Sequence, residues 1–220
     1  FTTTLTNLST DVRLGLSIPE QSTAFRLFVN DNVVADGGIA GLSRDSSEPY
    51  SGNQIIELGY LPSNVSLTWH VSNFHQASGG PWQVLTLGPY EELRHHYFLQ
   101  SFDQALVVAL AFIASLFLLI QYLIDRRYQA SIVLSGFAFL IGLRIGITDT
   151  QPLYQMLGTL NWQLHIRLCY LTILIAPPLL LLWQHFVFPA EISRRTIRYV
   201  SYFYILPILS IFLLPSDIFT

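Results

Sequence analysis

From Phe102 to Ile124 the chain reads FDQALVVALAFIASLFLLIQYLI, with one carboxylate near its start. At a rise of about 1.5 Å per residue, a helix of this length crosses a hydrocarbon core about 30 Å thick. No water-soluble domain of this size would carry such a stretch. It divides the chain into residues 1–100, which read as a soluble domain, and residues 101–220, which read as part of a membrane domain.

Three further apolar runs follow, at about Gln129–Ile147, His165–Phe188 and Tyr199–Leu214. The last is short for a span and is interrupted by Pro207, and Pro177-Pro178 breaks the hydrogen-bond ladder midway along the third. Neighbouring helices or water must then satisfy the freed carbonyls, and a kink is expected there. The loop between the first two runs holds Arg126-Arg127, and the loop before the fourth holds Arg194, Arg195 and Arg198. The loop 148–164 between the second and third holds no basic residue. Short basic loops stay in the cytoplasm, so residues 1–101 are expected outside. In a Gram-negative cell that compartment is the periplasm, and the chain is a multi-pass protein of the inner membrane. Phe1 is not an initiator and the last residues follow an apolar run, so the chain reads as a piece of a longer protein.

Composition narrows the function. Charged residues make up 11% of the chain, against about 25% in an ordinary soluble domain. The net charge of −3 argues against a nucleic-acid surface, which needs a basic stripe. The single cysteine, Cys169, forms no internal disulfide, and its apolar surroundings argue against a reactive thiol. No Walker loop, dinucleotide turn or Cys/His zinc spacing is present, so no cofactor, no metal site and no catalytic residue are expected in this segment.

The first hundred residues switch to a period of two. Val65, Leu67, Trp69 and Val71 alternate with Ser66, Thr68, His70 and Ser72, as in a strand with one buried face. Phe25, Leu27 and Val29 alternate in the same way. Asn30-Asp31-Asn32, residue types that tolerate left-handed backbone, then precede Val33-Val34. Further strands are expected at Thr2–Leu8, Val12–Ile18, Gln54–Leu58 and Gln83–Leu87, and an exposed polar loop over Leu42–Asn53. The expected fold class is an antiparallel β-sandwich followed by an α-helical transmembrane bundle.

Two stretches carry a resemblance. Ala24 to Gly38, AFRLFVNDNVVADGG, is similar to a strand, turn and strand of the galactose-binding-like jelly roll, with Asp31-Asn32 in place of the usual glycine step. Trp69 to Trp82, WHVSNFHQASGGPW, resembles the segment closing the extracellular domain of bacterial seven-transmembrane receptors with diverse intracellular signalling modules. Leu87-Gly88 before the first span, and HFVFPAE from His185 to Glu191, resemble further features of that family. The resemblance implies about seven spans, a homodimer, and a cytoplasmic output enzyme outside this segment: a diguanylate cyclase, a histidine kinase or a nucleotide cyclase.

Under that reading the β domain senses a small, carbohydrate-like ligand. Sugar recognition needs aromatic faces and planar amides, which points to Asn73, His75 and Trp82, and the polar loop adds Arg44 and Tyr50. The plainer alternative makes Asn73 an Asx turn and Trp82 part of the core. In the membrane domain, Arg144 and Arg167 either snorkel to the outer interface or pair with Asp149 or Asp103. His95-His96 is expected in a wet linker before the first span. The rival function is a docking protein whose β domain binds a periplasmic protein partner.

Overall fold

A computed structural model describes residues 1–77, 83–158 and 160–220. The chain divides into two compact units. One is Phe1–Ser101 with Ser216–Ile218 and Thr220, and the other is Phe102–Pro215 with Phe219.

The first unit contains β1 (Thr2–Leu5), β2 (Leu14–Ile18), β3 (Ala24–Val29), β4 (Asn32–Gly37), β5 (Gln54–Gly59), β6 (Val65–Ser72) and β7 (Thr86–Pro89). They form a four-stranded sheet in the order β1-β6-β3-β4 and a three-stranded sheet in the order β5-β2-β7, antiparallel throughout. The period of two explains which faces are buried. In β3, Phe25, Leu27 and Val29 are buried while Arg26 between them is exposed. Leu16 and Ile18 from the second sheet join Phe25, Leu27 and Ala35 from the first in one apolar cluster. Each fully buried side chain of this size contributes about 1.5–3 kcal/mol. Phe25 also meets the ring of Trp69 edge-on, with centroids 6.0 Å apart.

The turn between β3 and β4 is a two-residue hairpin. Asn30 and Asp31 both take positive φ, +46° and +67°, the backbone that such tight hairpins demand. Asp31 therefore occupies the glycine-favouring step, and Asn32 already pairs with Val29. Several strand ends differ from the sequence expectation. β1 stops at Leu5, before Asn7 turns left-handed at φ +59°. β2 starts at Leu14, and the last strand is Thr86–Pro89 rather than Gln83–Leu87. Pro89 is tolerated because it ends the strand, and the next amide, of Tyr90, donates to Arg13 O at 2.9 Å. The loop after β4 is more ordered than a solvated tip. It closes with a bridge between Ile39 and Glu48 and a 3-10 turn at Arg44–Ser46. Gly38 takes φ +67°, and a Cβ there would collide with the Glu48 carbonyl.

The second unit is helical. Among the described residues, four helices are long and apolar enough to cross a membrane: α1 (Tyr90–Ile124), α2 (Gln129–Ile147), α4 (Trp162–Val187) and α5 (Arg194–Leu213). Two short helices, α3 (Pro152–Leu157) and α6 (Ser216–Phe219), complete the chain. At 35 residues α1 is about 50 Å long, more than a hydrocarbon core needs. It begins twelve residues before the expected span, so His95 and His96 are exposed turns of a helix rather than a linker. Pro177, Pro178 and Pro207 lie inside helices that continue through them, which corrects the reading of Pro207 as an interruption. Asn161 caps α4 by accepting from Gln163 N at 2.9 Å, and Ser193 caps α5 by accepting from Thr196 N at 3.1 Å.

Small residues let α1 and α2 approach. A Cβ on Gly142 would sit 2.9 Å from a Phe112 ring carbon and 3.1 Å from Ala111 Cβ. Nearby, Ser115 Oγ donates to Ser135 O at 2.9 Å and Ser135 Oγ donates to Ser115 O at 2.7 Å. Close backbone contact and reciprocal hydroxyl bonds are how helices associate where burial of apolar surface supplies no drive.

Candidate functional site

Two of the ligand residues expected from sequence, Arg44 and His75, meet in the β-sheet unit around a third residue that sequence reasoning missed. Arg44 lies in the 3-10 turn after β4, and His75 follows β6. Arg44 donates to both oxygens of Asp217, at 2.9 and 3.2 Å. This bidentate bond holds the Asp217 carboxyl below its ordinary range and raises the guanidinium further. Around it, Ser216 Oγ donates to His75 O at 2.7 Å, and Ala77 N donates to Thr220 Oγ1 at 3.1 Å. Partial burial lowers the His75 pKa, the Arg44 charge lowers it further, and Asp217 opposes both. The fork that would grip a ligand's carboxylate thus already grips Asp217.

Of the remaining candidates, Asn73 and Tyr50 are held in the fold. Asn73 Oδ1 accepts from Gln76 N at 3.2 Å while its Nδ2 donates to Gln76 O at 3.0 Å, the turn-closing arrangement. Tyr50 packs against the core cluster. Trp82 lies outside the described residues.

A cavity of about 460 Å³ opens elsewhere in the same unit, within the usual range for small-molecule sites. Its apolar walls include Leu16, Leu67, the ring of Trp69, Leu85 and Leu87, and its polar lining among the described residues includes Thr2, Thr3, Gln83 and the unpaired Trp69 indole N–H. None of the sequence-predicted ligand residues among those described lines it. Leu67 and Trp69 read as core in the sequence, because a strand facing a cavity and a strand facing a filled core share one periodicity.

In the helical unit the arginines pair with neither of the two expected aspartates. Arg144 donates to Cys169 O at 3.0 Å and to Thr172 Oγ1 at 3.4 Å. Arg167 donates to Ile211 O, at 2.5 Å, and to Phe212 O, and lies over the Phe219 ring. Apart from the Thr172 hydroxyl these acceptors are backbone carbonyls of helices, so each guanidinium stitches one helix to another instead of pairing with Asp149 or Asp103. Asp149 accepts from Gln104 Nε2, and Asp103 is exposed on α1. Sequence reasoning also gave Cys169 no partner base. His165, one helical turn earlier and 1% exposed, places Nε2 3.6 Å from Cys169 Sγ, and Tyr154 OH lies 2.5 Å from His165 Nδ1. The i, i+4 spacing of His165 and Cys169 was the available signal. The contact of Tyr154 fastens α3 to α4.

Among the described residues no group of three or more His, Cys, Asp or Glu side chains is placed to hold a metal. No protein-family model, curated protein or solved structure matches this chain.

Proposed function

We propose that this chain is the sensing and membrane-spanning part of a bacterial signalling receptor, of the kind represented by seven-transmembrane receptors with diverse intracellular signalling modules. The β unit is its periplasmic jelly-roll sandwich and binds a small ligand. The long helices form a membrane bundle that relays binding to an output enzyme, a diguanylate cyclase, histidine kinase or nucleotide cyclase, outside this segment. Pairing of two copies goes with such outputs.

One observation carries the reading. The last strand, β7, ends at Pro89 and α1 starts at Tyr90. No flexible linker separates the strand paired with β2 from a helix that runs on into an apolar, membrane-length stretch. A ligand shifts such a system only through differential affinity for two of its states. The direct passage from β7 into α1 supports a relay through this helix.

Topology tests the reading first. In a Cys169→Ala background, Leu42→Cys is expected to react with a membrane-impermeant maleimide added to spheroplasts, and Arg195→Cys only after lysis. Both positions are exposed. The reverse labelling pattern overturns the sensor assignment.

A further inference from the structure

The β core is filled at one end and open at the other. Along β3 the inward residues Phe25, Leu27 and Val29 are all buried. On neighbouring β6, Val65 is buried, but Leu67 and Trp69, in phase with it, remain half-buried although they touch the same cluster. Leu85 and Leu87 behave likewise. These four side chains wall the cavity of about 460 Å³. Apolar walls without atoms opposite them forfeit dispersion contacts. Among the described residues its polar side chains are Thr2, Thr3, Gln83 and the indole of Trp69, whose N–H is buried without a hydrogen-bond partner.

We propose that this open end of the core binds an uncharged aliphatic compound, with a chain of about eight carbons along Leu67, Trp69, Leu85 and Leu87 and one hydrogen-bonding head group at Thr2, Thr3 and Gln83. The lining contains no Arg, His, Asp or Glu. An ionised head group buried there would meet no charged side chain among the described lining residues, which is costly. A sugar would present more hydroxyls than two threonines, one amide and one indole N–H satisfy. The proposal rests on the sensor reading above and names the chemistry of its ligand, which departs from the carbohydrate that the sequence resemblance implies.

The test uses the whole chain in phosphatidylcholine nanodiscs, with octanamide as probe, octanoate and galactose as comparators, and hydrogen–deuterium exchange of residues 65–72 and 83–87 as readout. Octanamide is expected to slow exchange in these segments about tenfold, with octanoate weaker and galactose without effect. Leu85→Trp, which fills the cavity, is expected to abolish the protection, and Leu67→Phe to weaken it. Each variant is first shown to melt as the parent does. Arg44→Ala, which is not part of the lining, is expected to retain it.

Unchanged exchange with octanamide overturns the proposal, as does protection by galactose alone or protection that survives both filling variants. In the full-length protein the two readings part. If octanamide binds but never alters output, the site stands and the receptor reading fails. If another external cue drives output while octanamide does not bind, the receptor stands and this site fails.

Discussion

Leu27 and Leu67 face the same core from adjacent strands, yet their environments differ. Leu27 has no exposed surface, whereas Leu67 borders open volume. Leu27→Ala is expected to destabilise the β unit by about 2–5 kcal/mol, and Leu67→Ala by about 1–2 kcal/mol, because the smaller cost applies where packing is already incomplete. Urea unfolding followed by tryptophan fluorescence distinguishes them. The Arg44–Asp217–His75 cluster carries a pH dependence with a definite sign. The folded pKa of His75 lies below the ordinary 6.5, so its contribution is complete above that value and is lost as pH falls through the folded one. Asp217 is likewise depressed, below 3.8, so its contribution disappears only in stronger acid. Acidification should therefore loosen Ser216–Thr220 in two steps, read as faster hydrogen exchange after correction for the intrinsic rate. Arg44→Gln is expected to remove the lower step and move the upper one toward ordinary histidine behaviour. Invariant exchange from pH 8 to pH 5 would contradict this.

At the scale of elements, the helices meet through small residues and through side chains that seek carbonyls. Gly142 leaves no room for a Cβ against Phe112 and Ala111. Gly142→Leu must therefore separate α1 from α2 and strain the paired Ser115 and Ser135 bonds. A fall of several degrees in melting temperature in nanodiscs is expected, while Gly136→Leu, where a Cβ has only Leu179 Cδ1 at 3.8 Å, should cost far less. Equal losses at the two glycines would show that close approach at Gly142 does not matter. Arg144 and Arg167 belong to the same logic. A guanidinium in an apolar helix bundle needs acceptors, and the carbonyls of a neighbouring helix supply them without a buried carboxylate.

For the whole molecule, the consequential feature is the unbroken course of α1 from Tyr90 to Ile124. If that continuity transmits the signal, a four-residue Gly-Ser-Gly-Ser insertion between Ser101 and Phe102 should leave ligand protection of the β unit unchanged and abolish the output response. The full-length protein in its native membrane provides the assay. A response that survives the insertion would assign transmission to another route.

How much was legible in the sequence follows the range of the interactions. In lipid, backbone groups must bond within their own segment, so four apolar runs fixed four helices, one of them, Gln129–Ile147, with matching ends. Strands with one buried face also announce themselves locally, and Asn30-Asp31 marked its hairpin because few residues accept left-handed backbone. The sheet order β1-β6-β3-β4, the bond from Arg44 to a carboxylate 173 residues away and the diversion of Arg144 and Arg167 to helix carbonyls were decided only in three dimensions. So was the cavity beside Trp69. Periodicity tells a side chain which way to face, but what it meets there depends on chain brought in from far along the sequence.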